Sequence, residues 1–135
     1  MLNVEYEGEY DPERNITFCR FINRPLSTED TGYLVEENRK LYSKGGENKV
    51  WNITDVSEMG MASVKLVKDY HKKQKPLIEK HIIDYCVICS KPLEKIAAQL
   101  FNILMGEKHP IFKTKEEAFN WVLKEQETKG RFLPL

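Results

Sequence analysis

No stretch of this chain comes near the ~20 consecutive apolar residues that a bilayer-spanning helix requires, and no secretory leader follows the first methionine. The expectation is therefore a cytoplasmic protein with no membrane span. Cysteine is scarce: Cys19, Cys86 and Cys89 are odd in number and irregular in spacing. A domain of 135 residues buries enough surface to fold without a cross-link, so a reduced compartment is the simpler inference. A charge excess of either sign is also missing. Lys and Arg total 21, as do Asp and Glu, which gives no reason to expect nucleic acid as a partner. A glycine-rich phosphate loop is absent, because Gly45-Gly46 precedes an expected strand instead of following one. Without a GxSxG elbow, Ser57 and Ser63 have no reason to be nucleophiles.

What the chain has instead is pattern. Residues 49–60, KVWNITDVSEMG, read as a short apolar strand (49–54) running into a polar turn, and a helix-period segment follows from Met61. Flanked by helical patterns, such a strand belongs inside a sheet with helices packed on it. The loop behind it is the first place to look for function. Charge is also distributed unevenly: residues 1–13 carry five acids and no base, while residues 61–80 carry six lysines against Asp69 and Glu79. A lysine-rich helix face is a solvated surface or a docking surface for an acidic partner.

Residues 3–10 alternate Val4, Tyr6 and Gly8 against Glu5, Glu7 and Glu9, the period of an edge strand with one wet face. After the turn DPERN, residues 15–22 form a second strand. It places Ile16, Phe18, Arg20 and Ile22 on one face and Thr17, Cys19 and Phe21 on the other, in an antiparallel hairpin with the first. Ser27 caps a helix running to about Lys44, with a thin stripe at Leu34 and Leu41, and Gly45 and Gly46 end it. The amphipathic helix from Met61 is interrupted at Pro76 or turns there before a short continuation to His81.

Residues 82–89, IIDYCVIC, carry the strongest strand signal. Ser90 caps a helix closed by Gly106, residues 109–113 form a short fifth strand, and Thr114 with Glu117 opens a last helix to about Glu125. The tail, 126–135, is expected to be loose or to lie on the surface through Phe132 and Leu133. The order β-β-α-β-α-β-α-β-α describes one α/β domain over residues 1–135. It has a five-stranded mixed sheet and four main helices, with strands two to five mostly parallel and the first antiparallel at one side.

Candidate chemistry is thin. Cys86 and Cys89 form a CxxC at the end of a strand, where an odd separation sends the side chains to opposite faces, so both read as small core residues. His71, His81 and His109 stand at no customary metal-ligand spacing from them. Trp51 and Trp121, on an apolar strand and an apolar helix stripe, read as core. Asp55 braces the turn; an enzyme would need it to converge with Glu58 or His71. No catalytic residue, cofactor site or metal site is expected.

The stretches KVWNITDVSEMGMASVKLVKDY, IIDYCVICSKPLEKIAAQLFNIL and HPIFKTKEEAFNWVLKE together resemble the STAS-type domains of anti-sigma-factor antagonists, over about residues 15–125. That resemblance implies a non-enzymatic, cytoplasmic, bacterial regulatory module that meets a regulatory kinase-like or anti-sigma-like partner through the loop after the third strand and the helix behind it. It also implies a switch serine at that helix start. Here Ala62 stands where the phosphorylatable serine is usual, and Gly60 where an aspartate is usual; Ser63 and Ser57 are only neighbours.

The docking surface expected from the resemblance is Asp55, Ser57, Glu58, Met59, Met61 and Ser63, continued by Lys65, Lys68 and Lys72. A homodimer stays open. The alternative function is a small-molecule or lipid carrier holding an apolar ligand between sheet and helices, with Val64, Tyr70, Leu100, Phe101 and Trp121 lining the space.

Overall fold

The computed structural model describes residues 1–92 and 109–135, so most of the helix expected between Ser90 and Gly106 lies outside the described residues. Strand β1 (Glu5–Asp11) pairs antiparallel with β2 (Ile16–Ile22), as the alternation predicts. The Asp11 carboxylate closes the turn between them by accepting from the amides of Glu13 (3.0 Å) and Arg14 (3.2 Å). Asn15 leaves the turn at φ 57°, a left-handed conformation that asparagine tolerates.

Strand β3 (Asn48–Glu58) lies parallel between β2 and β4 (Ile82–Ile88), and β4 pairs parallel with β5 (Ile111–Phe112). The sheet order is β1-β2-β3-β4-β5, with one antiparallel edge and an acidic outer strand that discourages further pairing. Three helices are described: α1 (Thr28–Tyr42), continued by a short 3-10 turn (Ser43–Gly45), α2 (Val64–His81) and α3 (Lys115–Lys129).

Strand alternation sorts the core into two layers. Cys19, Phe21, Val50 and Ile82 face α1 and α2, where Leu34, Leu41 and Tyr42 complete the packing. Ile16, Phe18, Trp51, Ile53, Cys86 and Ile88 face α3 through Ala118 and Val122. Both tryptophans belong to this second layer, their rings 6.4 Å apart and nearly perpendicular.

Four expectations need correction. Strand β3 does not stop at Thr54 but runs to Glu58, because β2 and β4 supply ladder partners for Asp55 on both sides and Ile22 pairs with Glu58. Asp55, Ser57 and Glu58 are therefore strand residues and not loop residues. Helix α2 passes through Pro76 without a break. Pro76 is exposed, so the carbonyl it leaves unbonded one turn earlier can be hydrated.

The tail is not loose. Leu133–Pro134 forms β6, a sixth strand antiparallel to Asn48 and Lys49, and the Leu135 amide donates to the Glu47 carbonyl at 2.9 Å. The first residues of β3 extend beyond their β2 partners and leave an edge free for it. Finally, the two glycines after α1 do different work. Gly46 takes φ 65°, whereas at Gly45 an added Cβ would sit 2.4 Å from Val50 Cγ1.

Candidate functional site

The nine residues expected to dock a partner divide into two sets. Asp55 is turned away from the β3–α2 connection: its carboxylate lies 3.6 Å from Arg20 Nε, on the α3 face of the sheet, and accepts from the Ser57 amide at 2.9 Å. The Ser57 hydroxyl accepts from the Ser90 amide at 3.0 Å. The Glu58 carbonyl accepts from Asn23, and Met59 packs inward against the first core layer. Asp55, Ser57 and Met59 are thus engaged by the fold, whereas Glu58 is held through its backbone alone and is exposed.

The other five stay outward. Met61, in the connection before α2, is 56% exposed, and Val64, the first residue of α2, is 63% exposed. Ser63 caps α2 by accepting from the Leu66 amide at 3.3 Å. Lys65, Lys68 and Lys72 follow at helical spacing on one exposed line, and among the described residues none of them is ion-paired. Lys73, one position on, is spent differently: it pairs with Asp69 at 2.9 Å.

Helix α2 is held on α1 by a seam of buried polar contacts. Thr31 donates to the Asp69 carboxylate, and with Lys73 this holds Asp69 below the usual carboxylate range. Deeper in the seam, Asn38 Nδ2 donates to the Tyr70 hydroxyl (2.9 Å) and to Gln74 Oε1 (3.2 Å). Its own Oδ1 accepts from the Tyr6 hydroxyl at 2.8 Å, and Gln74 Nε2 donates to the Tyr42 hydroxyl at 2.8 Å. On the sheet side, Asn52 bonds Thr54 (2.7 Å) and accepts from Thr17 (2.9 Å). This network escaped the sequence reading. Its signal was there, in two polar pairs at helical i,i+4 spacing, Asn38/Tyr42 on α1 and Tyr70/Gln74 on α2.

Between these helices and the sheet lies an apolar cavity of about 230 Å3, reaching the surface at Met59, Gly60, Met61 and Ala62. Of the residues expected to line a ligand space, Tyr70 does so. Val64 is solvent-exposed, Trp121 belongs to the opposite layer, and Leu100 and Phe101 lie outside the described residues.

Among the described residues, the acid and the histidine expected to pair for catalysis are kept apart. His71 lines the cavity, while Asp55 sits on the other face of the sheet, so that pair does not converge. Burial pushes the Cys19 thiol up to about 11 and, with the charge of Asp84, the Cys86 thiol up to about 12, so both stay protonated at neutral pH. Cys89 is buried and, like the other two, not disulfide-bonded. Burial, with the nearby charge of Lys80, lowers the affinity of His81 for a proton, and the His109 ring stacks on Tyr85 at 3.6 Å. Among the described residues no three His, Cys, Asp or Glu side chains gather as metal ligands, and no helix is long and apolar enough to cross a membrane.

No protein-family model matches the sequence, and no curated protein matches it. Solved structures do match the fold. One is the crystal structure of an uncharacterized DUF3478-family protein with a SpoIIAA-like fold from Shewanella loihica PV-4. It is 15% identical, with a TM-score of 0.62, over 90% of this chain and 95% of that one. Another is an anti-sigma factor antagonist from Mycobacterium paratuberculosis, 11% identical, with a TM-score of 0.64, over 89% of this chain and 94% of that one. The chain thus has the SpoIIAA-like fold, which is the fold implied by the sequence resemblance.

Proposed function

We propose that this protein is a non-enzymatic regulatory interaction module that docks a partner protein through the start of α2 and the connection leading into it. The observation that carries this reading is the exposed set of Met61, just before α2, and Val64, Lys65, Lys68 and Lys72 on it, in which apolar side chains are bordered by cations not ion-paired among the described residues, on a helix pinned to its neighbour. An amphipathic helix face of this kind suits an acidic surface with an apolar centre. A partner resembling the regulatory kinases or anti-sigma factors met by antagonists of this fold has the appropriate chemistry.

The separation of Asp55 from His71 and the protonated thiols support the absence of catalysis. A serine switch at the helix start has no support at Ala62. The Ser63 hydroxyl is engaged as the helix cap and Ser57 by the Ser90 amide, so docking on this reading needs no phosphate.

The test is co-precipitation with crosslinking from the native cell, comparing the wild type with a K65E/K68E variant and with K124E on the remote helix α3. Loss of the same partner from K65E/K68E alone is expected. A partner retained by K65E/K68E, or lost equally from K124E, would sink the reading.

A further inference from the structure

The cavity between the α1–α2 pair and the sheet has walls and a polar lining of different character. Phe21, Leu34, Leu66 and Val87 supply apolar walls, and five buried polar residues, Thr31, Tyr42, Asn52, Thr54 and Gln74, line the same space. Among the described residues that line it, none is Lys, Arg, Asp or Glu.

Hydrogen-bond accounting shows what the polar residues lack. Gln74 donates one amide hydrogen to Tyr42, and its Oε1 is occupied by Asn38. Asn52 donates one amide hydrogen to Thr54, and its Oδ1 is occupied by Thr17. Each primary amide carries two hydrogens, so one on each has no acceptor among the described residues. Tyr42 accepts from Gln74, and its own hydroxyl hydrogen has no acceptor among them either. Three donor hydrogens are thus left over among these side chains, while each of the two amide oxygens already accepts a bond. Water would answer these donors, but along the apolar walls it would find too few partners to be well held.

We propose that this cavity binds a small, uncharged, mainly apolar molecule that presents one hydrogen-bond acceptor, such as a ketone, ester or ether oxygen, to Tyr42, Asn52 and Gln74. The volume limits its size. A cavity of ~150 Å3 holds benzene, so about 230 Å3 takes roughly nine non-hydrogen atoms. Charge limits its class: a carboxylate or phosphate would lose its hydration with no lysine or arginine among the described lining residues to compensate. Entry is beside Met61 and Ala62, where the cavity meets solvent. This proposal concerns the free protein and stands apart from the docking reading.

The test titrates the protein with methyl hexyl ketone, nonane and octanoate while following the side-chain amide signals of Asn52 and Gln74 by NMR. Saturable ketone shifts at both amides are expected, with octanoate binding at least tenfold more weakly. A Tyr42→Phe variant keeps the ring and removes the hydroxyl donor; it should weaken ketone binding by about three- to tenfold and leave nonane binding unchanged. If Tyr42→Phe fails to fold, the wild-type titration still decides. No shift of either amide up to the solubility of the ketone means that the cavity holds only water and overturns the proposal. Octanoate binding as tightly as the ketone overturns the assignment to an uncharged ligand.

Discussion

Asn38 and Gln74 face each other across the α1–α2 seam, the Asn38 amide donating to Gln74 Oε1 at 3.2 Å, and both side chains are almost wholly buried. Through them a chain of hydrogen bonds runs from Tyr6 on β1 to Tyr42 on α1. Two helices separated by strand β3 are thereby set in one register. The lysine stripe on the outer side of α2 and the cavity on its inner side both depend on that register.

Asn38 is the node of the seam, so its removal should cost more than the loss of any single partner. Asn38→Ala leaves the Tyr6 hydroxyl and Gln74 Oε1 unsatisfied and is expected to destabilise the fold by about 3 kcal/mol, against about 1 kcal/mol for Tyr6→Phe. In a domain of this size the first corresponds to a fall in Tm of roughly 10 °C. Thermal unfolding of both variants and the double variant checks it. The double variant should cost clearly less than the sum of the two, since Tyr6 and Asn38 share a bond.

Alkali should weaken the protein through its buried thiols. Burial holds the Cys19 thiol at about 11 and, with Asp84, the Cys86 thiol at about 12, while burial also keeps the Tyr42 hydroxyl well above its ordinary value. In the unfolded chain a thiol ionises near pH 8.5, so above that the unfolded state binds fewer protons and stability falls as pH rises. The contribution is fully present at neutral pH and is lost through the window from about pH 9 to about pH 12. Each thiol adds a slope of about 1.4 kcal/mol per pH unit within it. Urea midpoints measured from about pH 8 to about pH 10 should decline, and Cys86→Ala should flatten that decline whatever it does to the midpoint itself.

Asp30 governs the acid side. Burial disfavours its charge, but the amides of Leu26 and Asn3, each donating at 2.8 Å, outweigh that and hold the carboxyl below its usual range. Its stabilisation is present above about pH 4 and is lost as pH falls through the lowered folded-state value. Asp30→Asn keeps the size of the side chain but turns one end into a donor facing another donor. A loss of about 2–3 kcal/mol at neutral pH is expected, with a flatter dependence below pH ~4. A variant as acid-sensitive as the wild type would show that Asp30 does not set the acid limb.

Much of this fold was legible in the chain because the period of apolar residues survives folding. The hairpin, the parallel core of the sheet, the helix over residues 28–42 and the start of the last helix at its Thr114 cap follow from alternation, caps and stops that act locally. Helix α3, by contrast, runs on to Lys129, past the end expected near Glu125 and into the segment expected to be a loose tail. What was not legible depends on partners distant in sequence. Strand β3 continues through DVSE because β2 and β4 offer ladder bonds there, and no local signal in four mostly polar residues announces that. Pro76 is tolerated because its side of α2 faces water. Of the residues that the resemblance puts on a docking surface, the exposure of Lys65, Lys68 and Lys72 follows from their helical spacing, but Asp55 and Ser57 are spent on Arg20 and Ser90, contacts invisible without the tertiary structure.

The tail poses the same question of distance, and Asn15 answers it. Its amide donates to the carbonyls of Lys49 and Arg131, both at 2.8 Å, while its Oδ1 accepts from the Tyr10 hydroxyl at 2.8 Å. One buried side chain thus joins the hairpin, the start of β3 and the C-terminal segment, at a backbone angle few residues accept. Two substitutions separate these roles. Asn15→Gly loses the three bonds but suits φ 57°, and a cost of about 2–3 kcal/mol is expected. Asn15→Ala loses the same bonds and adds backbone strain, so it should cost about 1 kcal/mol more. Both should speed amide hydrogen exchange at Leu135, whose bond to Glu47 depends on the tail being held in place. Equal costs for glycine and alanine would remove the strain from this account, and unchanged exchange at Leu135 would remove the tether.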